Sequence, residues 1–194
     1  MENMDYELMI PPFQHNGYEE FNKKQAEEYF QWYVGQTEYR IDVLNNFLIN
    51  EGKNIVLDFS PESLIPLWDW YEGKIIVEQK SEVELQKEIQ SYPDWMKNEI
   101  STTKISLQTY KFGMDIAIYF AEIIRKNNEG KIQWGYFTKP KNRASVNQPV
   151  LLGFKARMDL NPRLVVVNCT RRSSKEKHAE RLIEMYYTWM KYVD

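Results

Sequence analysis

Apolar residues recur at helical spacing through most of the 194-residue chain, and strand-like runs are confined to its later part. Tyr18, Phe21, Ala26, Tyr29, Phe30 and Tyr33, separated by Lys23-Lys24 and Glu27-Glu28, predict an amphipathic helix to about Val34, interrupted at Gly35. Tyr39, Ile41, Val43, Leu44, Phe47 and Leu48 predict a second helix closed by Glu51-Gly52, and an antiparallel pair is the economical arrangement. Asp58-Phe-Ser-Pro-Glu-Ser63 is a helix start, with Ser60 as cap and Pro61 at the first helical position; the helix should reach about Tyr71 and close at Gly73. Val83, Leu85 and Ile89 predict a short helix before Tyr92-Pro93, and Pro93–Lys97 can open a further turn. Residues 1–17, with Pro11-Pro12 and Asn16-Gly17, show no periodicity and read as an arm ahead of a domain spanning 18–194.

The run Met114–Ile124 is apolar on nearly every side, so the helix that contains it belongs at the centre of the core. Ser101 or Thr102 is its expected cap, and Asn127-Asn128 and Gly130 its end. Gly113 within it costs about 1 kcal/mol of helix propensity and marks a close contact. Ile132–Phe137 and Pro149–Phe154 predict two paired strands, the second covered on both sides. Leu164-Val-Val-Val167 pulls two ways: consecutive valines favour a strand, while Asn161-Pro162 opens helices. A third strand is the expectation. A final helix should run from Ser173-Ser174 to about Tyr192, with Ala179, Leu182, Ile183, Tyr186 and Trp189 inward. No internal repeat is visible. The elements add up to a mainly helical α+β single domain with a small, mostly antiparallel sheet in the C-terminal half.

Cys169 is the single cysteine, which rules out an intrachain disulfide and favours a reducing, cytoplasmic setting. The acidic opening Met1–Tyr6 lacks the base of a signal peptide, and the apolar run Ile116–Ala121 is too short to span a bilayer. Six Trp and thirteen Tyr exceed what a core of this size needs and suit either core boundaries or an interaction surface.

Charge is divided unevenly. Between Lys139 and Lys177 ten basic residues face two acids, Asp159 and Glu176, for a net of +8, while the rest of the chain carries −11. The split fits an internal match between acidic helices and a basic sheet region, a basic face for an acidic protein partner, or a phosphate or nucleic-acid surface. The loop Lys139–Asn147 is longer than a hairpin requires and is the preferred functional surface. With the flanking aromatics and the later arginine pair it nominates Trp134, Tyr136, Lys139, Lys141, Arg143, Arg171 and Arg172 as binding residues.

Asp115 and Glu122 lie two helical turns apart, about 10 Å between α carbons, and are the alternative catalytic pair. Lys111 and Lys126 stand four residues from them, the spacing of ordinary helix ion pairs. His15 and His178 have no partner at metal or triad spacing, and no phosphate loop, nucleophile elbow or dinucleotide fingerprint occurs, so no cofactor or metal is expected.

The residues Asp115-Ile-Ala-Ile-Tyr119, Trp134-Gly135, Asn147–Phe154, Asn161-Pro162, Leu182, Met185-Tyr186 and Trp189 together resemble a loose group of small uncharacterised bacterial proteins. Some of that group resemble the immunity proteins that neutralise toxins. The resemblance spans about the last ninety residues. It implies a cytoplasmic, non-enzymatic protein-binding domain, an immunity-type inhibitor with a toxin as partner, and it carries over no catalytic residue. The rival expectations are a hydrolase-like enzyme using Asp115 or Glu122 and a nucleic-acid accessory factor using the basic segment 139–177.

Overall fold

A computed structural model describes residues 6–193; the first five residues of the predicted arm and Asp194 lie outside the described residues. In chain order the elements are α1 (Lys23–Gly35), α2 (Thr37–Asn50), α3 (Leu64–Glu72), β1 (Val77–Gln79), α4 (Glu82–Ser91), β2 (Thr103–Ile105), α5 (Leu107–Asn127), β3 (Gln133–Gly135), β4 (Val150–Leu152), α6 (Pro162–Ser173) and α7 (Arg181–Met190). The chain is a mainly helical α+β fold with two small antiparallel sheets, β1 with β2 and β3 with β4.

α5 is the axis of the molecule. Every residue from Asp115 to Ile124 is buried, and α2 and α6 make its most extensive contacts. Phe112, Ile116, Ile118, Phe120 and Ile123 merge with Leu44, Leu48, Leu64, Leu67, Trp68 and Leu182 into one core. A helix without a wet face is stable only when wrapped in this way. Gly113 sits where α5 crosses α6, and a Cβ there would come 2.9 Å from Tyr71 Oη and 3.6 Å from Val166 Cγ1. The glycine is therefore a contact point, as its place in the sequence predicts.

The start of α5 corrects the sequence-based boundary. Ser106, not Ser101 or Thr102, caps the helix, its Oγ accepting from the Thr109 N–H at 3.2 Å. The preceding residues form β2, in register with β1 as Val77↔Ile105, Glu78↔Lys104 and Gln79↔Thr103. Ser101 instead accepts from Thr103 N, a local turn that competes with helix. The Leu164–Val167 run is the second correction. It lies in α6, because Asn161 accepts from Leu164 N and Pro162 occupies the first helical turn, so capping outweighs the β preference of valine. The expected third strand shrinks to one antiparallel bridge, Leu151↔Leu160, just before the helix.

α1 and α2 are joined by Gln36 alone, in helical conformation. A helix hairpin uses about 2–5 linking residues, so the two form a bend rather than the expected antiparallel pair. The helix predicted from Ser60 begins with a 3₁₀ turn, Pro61–Ser63, under the Ser60 cap. α7 starts seven residues later than Ser174, since residues 174–180 turn against α3.

The aromatic surplus is largely spent inside. Tyr6, Phe47, Trp70 and Phe112 stack edge-on or tilted at centroid distances of 4.3–6.3 Å. Phe13, His15, Tyr18, Phe21 and Tyr29 form a second cluster that holds residues 13–21 against α1.

Candidate functional site

Three buried carboxylates are each surrounded by donors. Asp115 receives Arg40 Nε at 2.8 Å and Nη2 at 2.7 Å as a two-pronged pair, and Tyr6 Oη donates to the same carboxylate. Arg40 also donates to Glu7 through Nη1 and to the Glu7 carbonyl through Nη2, so the network fastens residues 6–7 to α2 and α5. Burial pushes the Asp115 carboxyl up, opposed by the Arg40 and Tyr6 bonds, and burial raises the Tyr6 hydroxyl as well. The cation that holds Asp115 thus comes from α2, a long-range partner that the four-residue spacing from Lys111 did not reveal.

Glu122 is bonded by Arg125, three residues along α5, and by Trp134 Nε1 at 2.7 Å, which ties β3 to the helix. Lys126, the expected partner, instead lies over the Phe59 ring at 3.4 Å. Glu72, which the sequence did not single out, accepts from Trp68 Nε1, Ser173 Oγ and the His178 backbone N–H. It clamps the α6–α7 connection to α3. In all three the carboxylate's acceptor positions are taken up by structural donors. Burial raises the Cys169 thiol to about 11, which leaves little thiolate at neutral pH. Among the described residues no group of three or more His, Cys, Asp or Glu side chains could hold a metal ion.

The seven nominated binding residues separate in space. Trp134 packs on Tyr33 and bonds Glu122, and Tyr136 packs on Phe30, so both aromatics face α1. Lys141 Nζ donates to the carbonyls of Glu19 and Phe21, and Asn147 Nδ2 donates to that of Tyr18, fastening both ends of the long loop to residues 18–21. Lys139 is exposed on that loop. Arg143 pairs with Asp159 and lies 3.8 Å over the Phe137 ring centroid. Arg143 and Arg172 meet at a groove between α6 and α7, whereas Arg171 lines a cleft on the other side of α6 with Arg163 and Tyr110. The basic segment is therefore distributed over several surfaces.

The surface that sequence reasoning passed over is the flap formed by β1, α4, the 3₁₀ segment Asp94–Glu99 and β2. β1, α4 and the 3₁₀ segment bury no residue. α4 is set by a reciprocal capping box between Ser81 and Glu84 and held by the ion pairs Lys104–Glu84 and Lys80–Glu88, while Lys104 also pairs with Glu78 across the β1–β2 ribbon. The Lys104 ammonium and the Ser81 donors hold the Glu84 carboxyl at about 2, well below the usual range. On this polar frame Trp95 and Val83 stand 78% exposed, with Tyr92 and Val77 also in solvent. The cue in the sequence was the Tyr92-Pro-Asp-Trp95 cluster after a helix with few apolar positions.

No helix among the described residues is long and apolar enough to cross a membrane. No family model, curated protein or solved structure matches this chain.

Proposed function

We propose that this chain is a non-enzymatic protein-binding domain whose contact surface is the flap. The observation that carries the reading is Trp95, a tryptophan left 78% exposed on a segment that buries nothing; Val83, on α4, has the same exposure. Isolated exposed apolar residues are ordinary, but Trp is the residue type most enriched at the energetic centres of interfaces. The frame beneath it is built from caps and ion pairs, so the apolar groups are presented outward rather than consumed in packing. The resemblance to immunity-type proteins adds a class of partner, a bacterial toxin whose surface the flap would cover.

The enzyme reading has less to draw on, because Asp115 and Glu122 are held by Arg40, Tyr6, Arg125 and Trp134. A nucleic-acid reading needs a continuous basic face, and Lys141, Arg143 and Arg171 lie in different settings.

The test is affinity capture from nuclease-treated lysate of the source cell with wild-type protein and Trp95→Ala. Wild type should retain one near-stoichiometric protein partner. The variant should lose at least 2 kcal/mol of binding, the scale of an interface hot spot of about 2 kcal/mol or more, while its unfolding free energy stays within about 0.5 kcal/mol. A partner held equally by the variant, or no partner at any salt concentration, would overturn the proposal.

A further inference from the structure

We infer that the groove between α6 and α7 binds an amphipathic monocarboxylate, a small molecule with an apolar body and one carboxylate. This site is separate from the flap and does not depend on it.

The groove has a volume of about 450 Å³, within the span of small-ligand sites, roughly 300–1,000 Å³. Its apolar lining comes from Leu164 and Val165 on α6 and Met185 and Trp189 on α7, each only half-buried by the protein itself. The body of a ligand laid between the helices would cover that surface. Because the lining is recessed between two helices and the segment 143–145, it suits a compact molecule better than a protein face.

The polar groups that line the groove select the charge. Asp159, the groove's one acid, is already neutralised: Arg143 Nη2 donates to one oxygen and Ser145 Oγ to the other, the latter at 2.7 Å. Arg143 is further committed by its place over the Phe137 ring. Arg172, exposed on the last turn of α6, has no carboxylate partner among the described residues. The residues lining the groove therefore carry one more positive than negative charge, beside an apolar trough. A guanidinium presents two parallel N–H donors that match a carboxylate, and it stays charged at every working pH. An amine or an uncharged chain of the same length would gain only the apolar contact.

The experiment is a calorimetric titration with decanoate below its micelle concentration, run beside decyltrimethylammonium and decanol, with amide NMR shifts to place the ligand. Decanoate should bind at one saturable site, shift residues of α6 and α7, and exceed both analogues in affinity. Arg172→Gln should weaken it about tenfold, the loss of one charge-assisted contact of about 1.4 kcal/mol, and Val165→Trp should abolish it by filling the trough. Since Arg172 is exposed, its variant keeps the test decisive even if the tryptophan variant fails to fold. Equal binding of the ammonium analogue, shifts confined to other elements, unaltered affinity in Arg172→Gln, or no saturable binding would overturn the inference. Trp95→Ala should leave decanoate binding unchanged and Arg172→Gln should leave partner capture unchanged, so failure at one surface is distinguishable from failure at the other.

Discussion

The body around α5 and the flap of β1, α4 and β2 are held together by opposite means. In the body, apolar side chains are buried and the carboxylates among them are partnered; Asp115, Glu122 and Glu72 each accept from at least one donor on another element. In the flap nothing on α4 is buried, and the helix is kept by its cap and by ion pairs near the surface, the half-buried Lys80–Glu88 and the more exposed Lys104–Glu84. Burial gives a large cooperative stability that is insensitive to salt, whereas exposed pairs contribute about 0–1 kcal/mol each and are screened. The flap can therefore carry an exposed tryptophan without the body depending on it, and the body can hold charged groups in its core because their partners are fixed.

The comparison breaks most sharply at Arg40. Replacing it with Ala strands the Asp115 carboxylate inside the core, which should cost about 3–5 kcal/mol in urea unfolding. Removing Lys104 from the flap should stay within about 0.5 kcal/mol. If the two losses were alike, the supposed difference between the regions would be wrong.

Gly113→Ala tests how tightly the body is packed. The added methyl meets Tyr71 Oη, which is itself held by the Thr109 carbonyl at 3.3 Å and Thr170 Oγ1 at 3.0 Å. Overpacking of about 1–3 kcal/mol should outweigh the gain in helix propensity of about 1 kcal/mol. A higher unfolding midpoint for the variant would show slack at the α5–α6 crossing.

The smallest effect belongs to the flap and is sharpened by pH. Glu84 titrates lower when folded, at about 2 against an ordinary value of 4.5. Its support for α4 is thus complete above 4.5 and is lost as the pH falls through about 2. Amide-exchange protection of α4 should decline across that window, and also on adding salt at neutral pH, while α5 protection holds. Loss of protection in both helices together would mean that flap and body unfold as one unit.

Much of the helical layout was legible in the chain because its signals are local. Ser60-Pro61 starts a helix where expected, Glu51-Gly52 ends another, and the even hydrophobicity of 114–124 marks the central helix. The misreadings arose where two local signals competed. Valine propensity at 164–167 lost to the Asn161-Pro162 cap, and Ser101 and Thr102 imitated a cap that belongs to Ser106. The candidate surfaces were harder to read. Trp95 has no periodic partners in the sequence, and Trp134 and Tyr136 differ from it only through what packs on them.

By itself the sequence determined most of the helices, which of them is central, and that no intrachain disulfide can form, because capping, periodicity and composition act over a few residues. Only the tertiary structure decided which charges are matched and which aromatics stay exposed. Arg40 reaches Asp115 across 75 positions, and Glu72 reaches His178 across 106. Such pairings depend on how helices cross, and a helix crossing is set by the packing of whole faces, which no local spacing encodes.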